Sequence, residues 1–391
     1  MVELISPAGD WISLKAAIDA KADAVYFGLK EFSMRAKAKN FELKELKNVV
    51  EECHKNKVKA YLTLNTIIYE NELDKVKKIL KEVKKAKVDA IHAWDMSIIN
   101  EALKLKIPVH LSTQASVSNS EAAKFYKKLG VERIILAREC SLEQIKKIKK
   151  EVKIEIEVFI HGAMCVSISG RCFISEFEFG KSANRGECLQ PCRREYTIED
   201  EEGKKLKLSN NFVMSPKDLC ALPFIEKLKF VDAFKIEGRN RSPEYVKAVT
   251  EVYREAIDKK LTNTKIKKLM DKLKTVYNRG FSSGFFLGRP LPKDFINVYG
   301  SKATTKKVYV GKVLHYYGKI KVAEIKVESN GLKVGDNLMI QGPTTGVYEQ
   351  KLKSMEIKHK KVKQIKKGSV AVKLDSIVRK NDQVYIIEKK K

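Results

Sequence analysis

A short apolar run, a polar turn and an amphipathic helix recur through residues 1–240, and this repetition constrains the fold more than any other feature. The apolar runs fall at Leu4–Ser6, Ala24–Gly28, Ala60–Leu64, Ala90–Ala93, Val109–Ser112, Arg133–Leu136, Ile156–Ile160 and Phe234–Ile236. Between them, segments such as "LKELKNVVEECHKN" and "ELDKVKKILKEVKKA" place apolar residues at three- and four-residue spacing, the period of a helix with one buried face. Strands separated by helices must run parallel, because each helix carries the chain back to the same end of the sheet. Eight such units predict a closed TIM-like (β/α)8 barrel, with an open doubly wound sheet as the competing arrangement.

In a barrel of this kind the reactive groups gather at the C-terminal ends of the strands. Polar residues recur there: Asn65, Asp95, Gln114 of "TQAS", Arg138 and Glu139 of "ARE", His161, and Lys235, Glu237 and Arg239 of "KIEGR". Each taken singly has a plainer role as a helix cap or a surface ion pair. Together they mark Gln114, Arg138, Lys235 and Arg239 as candidates for holding a substrate carboxylate, phosphate or base edge. Glu139, Glu237 and His161 are the candidate acids or bases.

One connection breaks the pattern. Ile160 and Phe234 are separated by 73 residues, far beyond an ordinary strand-to-helix loop. This insertion, about residues 162–230, carries Cys165, Cys172, Cys188, Cys192 and Cys220, with spacing C-x6-C-x15-C-x3-C and then 27 residues to the last. Structural disulfides do not suit a chain with no visible secretory signal. Zinc sites favour two close cysteine pairs, and only Cys188 and Cys192 approach one. An iron–sulfur cluster accepts ligands from separate loops, and Arg171, Arg185, Arg193 and Arg194 would offset the charge of four thiolates. A thiol nucleophile with His161 as its base leaves the other cysteines unexplained. Cys53, within a helical segment, and Cys140 read as small buried hydrophobes.

After the eighth strand come two helical runs, then the Gly- and Phe-rich "FSSGFFLGRPLP", which punctuates the chain. Beyond it, β-branched runs alternate between Gly, Asn and Asp turns, the pattern of a small antiparallel β-barrel. The division reads as a barrel domain over 1–290 and a basic β-domain over 303–391. The whole chain has 78 Lys and Arg against 49 Asp and Glu, a net charge of +29. Residues 301–391 hold 22 of the basic and 8 of the acidic residues, so 22 − 8 gives +14 of that excess. Lysine-rich surfaces also occur in heat-adapted proteins, but the imbalance of sign points to a polyanion, RNA above all. Nothing selects DNA. No apolar run approaches the roughly 20 residues a membrane-spanning helix needs, so a cytoplasmic location is expected.

The motifs "EVFIHGAMCVSISGRCFIS", "NRGECLQPCRREY", "SPKDL" and "FKIEGRNRSPEYV", with the N-terminal "ELISPAGDWISLKAAIDAKADAVYFGL", resemble peptidase family U-32 over about residues 2–290. The family name comes from collagenase-like proteases. It also includes accessory proteins of prephenate-linked tRNA and rRNA hydroxylation, and relatives in ubiquinone hydroxylation carry [4Fe-4S] clusters. The resemblance implies Cys165, Cys172 and Cys188 as cluster ligands. Cys220 of "KDLC" matches the cluster-bearing relatives as the fourth, and Cys192 is its local competitor. It further implies prephenate as an oxygen donor, a partner subunit, and either an RNA hydroxylase or a protease. "LKVGDNLMIQG" and "SMEI" resemble the second domain of elongation factor Tu. The sequence has no Ser-His-Asp spacing and no H-E-x-x-H helix, so no protease mechanism follows from its residues. A non-catalytic RNA-binding protein with a structural cluster or zinc is the third reading.

Overall fold

The computed structural model describes residues 2–168, 171–206 and 214–390. Eight parallel strands form its centre: β1 (Glu3–Ala8), β2 (Ala24–Gly28), β3 (Lys59–Thr63), β4 (Ala90–Ala93), β5 (Val109–Leu111), β6 (Arg133–Ile135), β7 (Glu155–Gly162) and β8 (Ala233–Ile236). Each pairs with the next, and β8 pairs with both β7 and β1, which closes the barrel. The strands are buried on both faces, as in β2, where all five residues of "AVYFG" are inside.

The helices cover the barrel because their apolar stripes require it. In the helix Leu73–Lys85 the buried residues are Val76, Ile79, Leu80 and Val83, spaced to form one face. Several polar residues at strand ends cap the following helix. Asp95 accepts the Ser97 N–H at the start of the helix Met96–Lys104, so its role is structural.

Residues 163–232 form the excursion between β7 and β8. It contains the helix Ile174–Phe179, a hairpin pairing 198–199 with 205–206, and a short strand at Asp218–Cys220. That strand pairs antiparallel with the end of β7, Leu219 opposite Gly162 and Cys220 opposite His161.

The C-terminal region is a separate antiparallel sheet of eight strands around its own core, which includes Val310, Ile325, Ile340, Val372 and Val384. Its longest strand, Thr305–Tyr317, carries two register shifts, and at Gly311 a Cβ would stand 1.8 Å from the Lys326 carbonyl oxygen. The sheet rests on the barrel wall at the helix Pro243–Asp258. There Lys307 Nζ meets Glu244 at 3.1 Å and Lys247 Nζ donates to the Val347 carbonyl at 2.7 Å. Among the described residues no helix is long and apolar enough to cross a membrane.

Candidate functional site

The C-terminal mouth of the barrel opens into a cavity lined by six cations, Arg35, Lys37, Arg138, Arg193, Lys235 and Arg239, and by one carboxylate, Glu237. Tyr26, Phe159 and Met164 supply its apolar walls, and Asn65, Ser112 and Gln114 its neutral polar groups. Such a lining suits a small anion with a flat apolar part.

Glu237 is the hub. Arg35 donates through Nε at 3.1 Å and Nη2 at 2.9 Å to its Oε1, and Arg138 Nη2 lies 3.7 Å from Oε2. Burial by itself would raise the Glu237 pKa, but Arg35 and Arg138 outweigh it and hold the carboxyl at about 2. Glu237 is therefore a fixed anion that orders two guanidinium groups, and a poor proton carrier near neutrality. Arg138 lies over the Phe159 ring at 4.0 Å and donates to the Ala163 carbonyl at 2.6 Å, while its buried Nε has no hydrogen-bond partner.

Arg239 crosses the barrel top to donate to Ser33 Oγ at 2.6 Å and Thr63 Oγ1 at 2.9 Å, and burial lowers its pKa to about 10. Gly28 makes room for it: a Cβ there would sit 2.1 Å from Arg239 Nη1. Lys235 lies deeper, between His92 Nδ1 at 3.0 Å and Glu157 Oε1 at 2.8 Å, over the Tyr26 ring. Burial lowers the Lys235 pKa to about 8. The Gln114 side-chain oxygen accepts from the Ser112 hydroxyl at 2.5 Å, and Arg171 donates to the Gln114 main-chain carbonyl at 3.3 Å.

Two of the candidate acids and bases lie elsewhere. Glu139 is solvent-exposed and does not line the cavity. His161 packs outside the barrel against Tyr245, Tyr253 and Phe281, with Nδ1 3.3 Å from the Tyr253 hydroxyl. A register shift between Lys235 and Ile236 against β7 breaks the strand alternation, so Phe159 faces the cavity and His161 does not. Burial drives the His161 pKa down to about 3. Neither residue is placed to exchange a proton with a molecule in the cavity.

The cysteines divide in the same way. Cys165, Cys188 and Cys192 line the cavity mouth, and Cys172 is close enough to act electrostatically on both Cys188 and Cys192. Cys220 is buried on the outer side of its strand, with Sγ 3.7 Å from the Tyr253 hydroxyl and 3.7 Å from Met270 Sδ. Burial lifts its pKa to about 11. The structure thus brings Cys192, rather than Cys220, together with the other three. Burial, followed by the neighbouring thiols, raises the pKa values of Cys188 and Cys192. The N–H groups of Ser167 and Gln190 donate to Cys165 Sγ at 3.4 Å and Cys188 Sγ at 3.3 Å. Cys53 and Cys140 are buried thiols with pKa values raised by burial to about 12.

Arg35 and Tyr26 are cavity residues that the strand-end pattern does not reveal. Arg35 comes from the irregular loop after β2, and Tyr26 from the inward register of a wholly apolar run. A tyrosine in that register is the available signal.

Fold and site together define a (β/α)8 barrel with a cationic cavity and a thiol-bearing insertion across its mouth. The sequence matches peptidase family U32 over residues 9–295, and the chain belongs to that family. It is 45% identical to an uncharacterized protease of Methanocaldococcus jannaschii over 99% of this chain and 98% of that one. It is 40% identical to a collagenase of Porphyromonas gingivalis over 99% and 98%. It is 36% identical to tRNA hydroxylation protein P1 of Bacillus subtilis, over 87% of this chain and 83% of the relative.

Proposed function

We propose that the protein is an iron–sulfur protein that hydroxylates an RNA base or assists that hydroxylation. The observation that carries this reading is three thiols, Cys165, Cys188 and Cys192, on the mouth of a cavity with six cations and one carboxylate, with Cys172 near enough to act on two of them. Cys165, Cys172, Cys188 and Cys192 would hold the cluster, and N–H donors to two of the sulfurs suit anionic thiolates. When bound, a [4Fe-4S] cluster supplies one-electron redox chemistry, which no protein side chain here provides.

The chain's own groups then have defined tasks. Arg138, Arg239 and Lys235 would hold the carboxylates of a small organic anion, prephenate in the reading drawn from the family resemblance. Glu237 keeps Arg35 and Arg138 in place without competing for protons. Phe159 and Tyr26 would cover the anion's apolar face. The net charge of +29, with +14 from residues 301–391 as counted above, would attract RNA to the mouth. A partner subunit and a cytoplasmic location belong to the same reading.

The collagenase name of one relative favours a peptidase as the second reading. Cys165 is exposed enough to act as a nucleophile, but His161 packs outside the cavity and cannot serve as its base. The test is anaerobic isolation with iron and sulfide analysis, joined to nucleoside mass spectrometry of RNA from a deletion strain. Iron with sulfide and the loss of one hydroxylated nucleoside are expected. A chain free of iron, or an unchanged nucleoside profile, would overturn the proposal. Cleavage of denatured collagen that disappears in Cys165→Ala would establish the peptidase instead.

A further inference from the structure

Beneath the cavity floor the barrel interior is polar on successive strands. His92 on β4 lies opposite His110 on β5, which lies opposite Arg133 on β6, and Glu157 follows on β7. His92, His110 and Glu157 are 1%, 5% and 0% exposed. One ligand-capable atom from each of the three lies within 4.8 Å of the other two. The imidazole planes are 27° apart with centroids separated by 5.5 Å. A second observation concerns the same side chains: His92 Nε2 and His110 Nδ1 are buried without a hydrogen-bond partner. A buried polar atom left unmet costs on the order of 1–3 kcal/mol, so each of these nitrogens calls for a partner.

We propose that His92, His110 and Glu157 form a binding site for one divalent transition-metal ion, separate from the thiol group above it. Two imidazole nitrogens and one carboxylate oxygen are a donor set suited to iron(II), cobalt(II) or zinc(II), and they leave further coordination positions open. His92 also lines the cavity, which gives the ion a way in. Burial keeps both imidazoles neutral, the form that ligates metal.

The neighbouring charges are themselves cationic, so a metal ion competes with them for Glu157. Arg133 is already held by Glu3 at 2.5 Å and Glu155 at 2.6 Å, so its contact with Glu157 at 3.4 Å is the loosest of the three. Lys235, 2.8 Å from Glu157, is the cation that competes for the carboxylate. The site therefore makes a directional demand: removing the ammonium should strengthen metal binding. The proposal does not depend on the thiols holding a cluster or on any RNA activity.

Cobalt(II) is the probe, because ligand-field absorption reports nitrogen and oxygen ligands while thiolates add intense charge-transfer bands. The full-length chain should show ligand-field bands that vanish in the double variant His92→Gln, His110→Gln, with any thiolate bands unchanged. Lys235→Met, which removes no proposed ligand, should bind cobalt(II) at least about tenfold more tightly. Crystals soaked in cobalt(II) should give an anomalous peak between the two imidazoles, a readout that needs no variant to fold. Identical spectra for the parent chain and the double variant, no tightening in Lys235→Met, or no peak at that position would each overturn the proposal.

Discussion

Replacing Glu237 with glutamine tests the electrostatic core of the site. The carboxylate is held at about 2 against an ordinary value of 4.5, by Arg35 and Arg138 against the opposing effect of burial. A displacement of 4.5 − 2 = 2.5 units, at 1.36 kcal/mol per unit, corresponds to about 3 kcal/mol. Loss of one partner from a buried ion pair gives a similar figure, about 3–5 kcal/mol, because the guanidinium groups stay buried without their anion. The side chain is 13% exposed, so solvent screens little of this. Because the folded pKa is depressed, this stability is fully present above about pH 4.5 and lost as pH falls toward 2. Urea unfolding of both chains, followed by circular dichroism, measures it. The gap between Glu237 and Glu237→Gln should be about 3 kcal/mol at pH 7, constant down to about pH 5, and smaller at each step below. A gap under about 1 kcal/mol at pH 7, or one that does not change with pH, would refute the reasoning.

Cys192→Ser should sharply reduce iron bound per chain whereas Cys220→Ser should retain it, as read by iron and sulfide analysis; the reverse result would restore Cys220 as the fourth ligand. Gly28→Ala should drive Arg239 from Ser33 and Thr63 and lower stability by about 1–3 kcal/mol, the usual cost of overpacking, measured as a fall in Tm. His161→Phe should leave the proposed hydroxylation intact, since the ring lies outside the cavity. It should also flatten the acid dependence of stability. The unfolded imidazole takes up a proton below about pH 6.5 while the folded one stays neutral to about pH 3, so the parent chain loses stability across that window.

The barrel was legible because each strand buries both faces and each helix buries one. Those constraints write continuous and periodic apolar patterns, so the eight runs coincide with the strands to within a residue or two. The cationic end of the site was legible for a related reason: Lys235 lies near the end of its strand and Arg138 and Arg239 just beyond strand ends, where position in the chain predicts position in space. What failed depended on orientation. His161 and Cys220 occupy the expected places in the chain, but the offset against β7 turns one ring outward and the neighbouring strand turns the thiol to the same side. Arg35 escaped because it sits in an irregular loop, where periodicity carries no information. The interior His92, His110 and Glu157 come together only through strand pairing and barrel closure, over separations of 18 and 47 residues that no local window spans.

The pairing of Leu219 with Gly162 has a consequence for how this protein can vary. The excursion returns to the wall where it left, and on the way Arg171 at the Gln114 main-chain carbonyl and Arg185 at Glu72 tie it to the barrel, so only the segments between these anchors are free of the wall's geometry. Closing such a loop costs only about 0.6 kcal/mol more for each doubling of its residues. Insertions and deletions between those anchors can therefore accumulate without disturbing the barrel strands. The thiols and Arg193 therefore vary with the excursion, while Arg138, Lys235, Glu237 and Arg239 stay with the barrel.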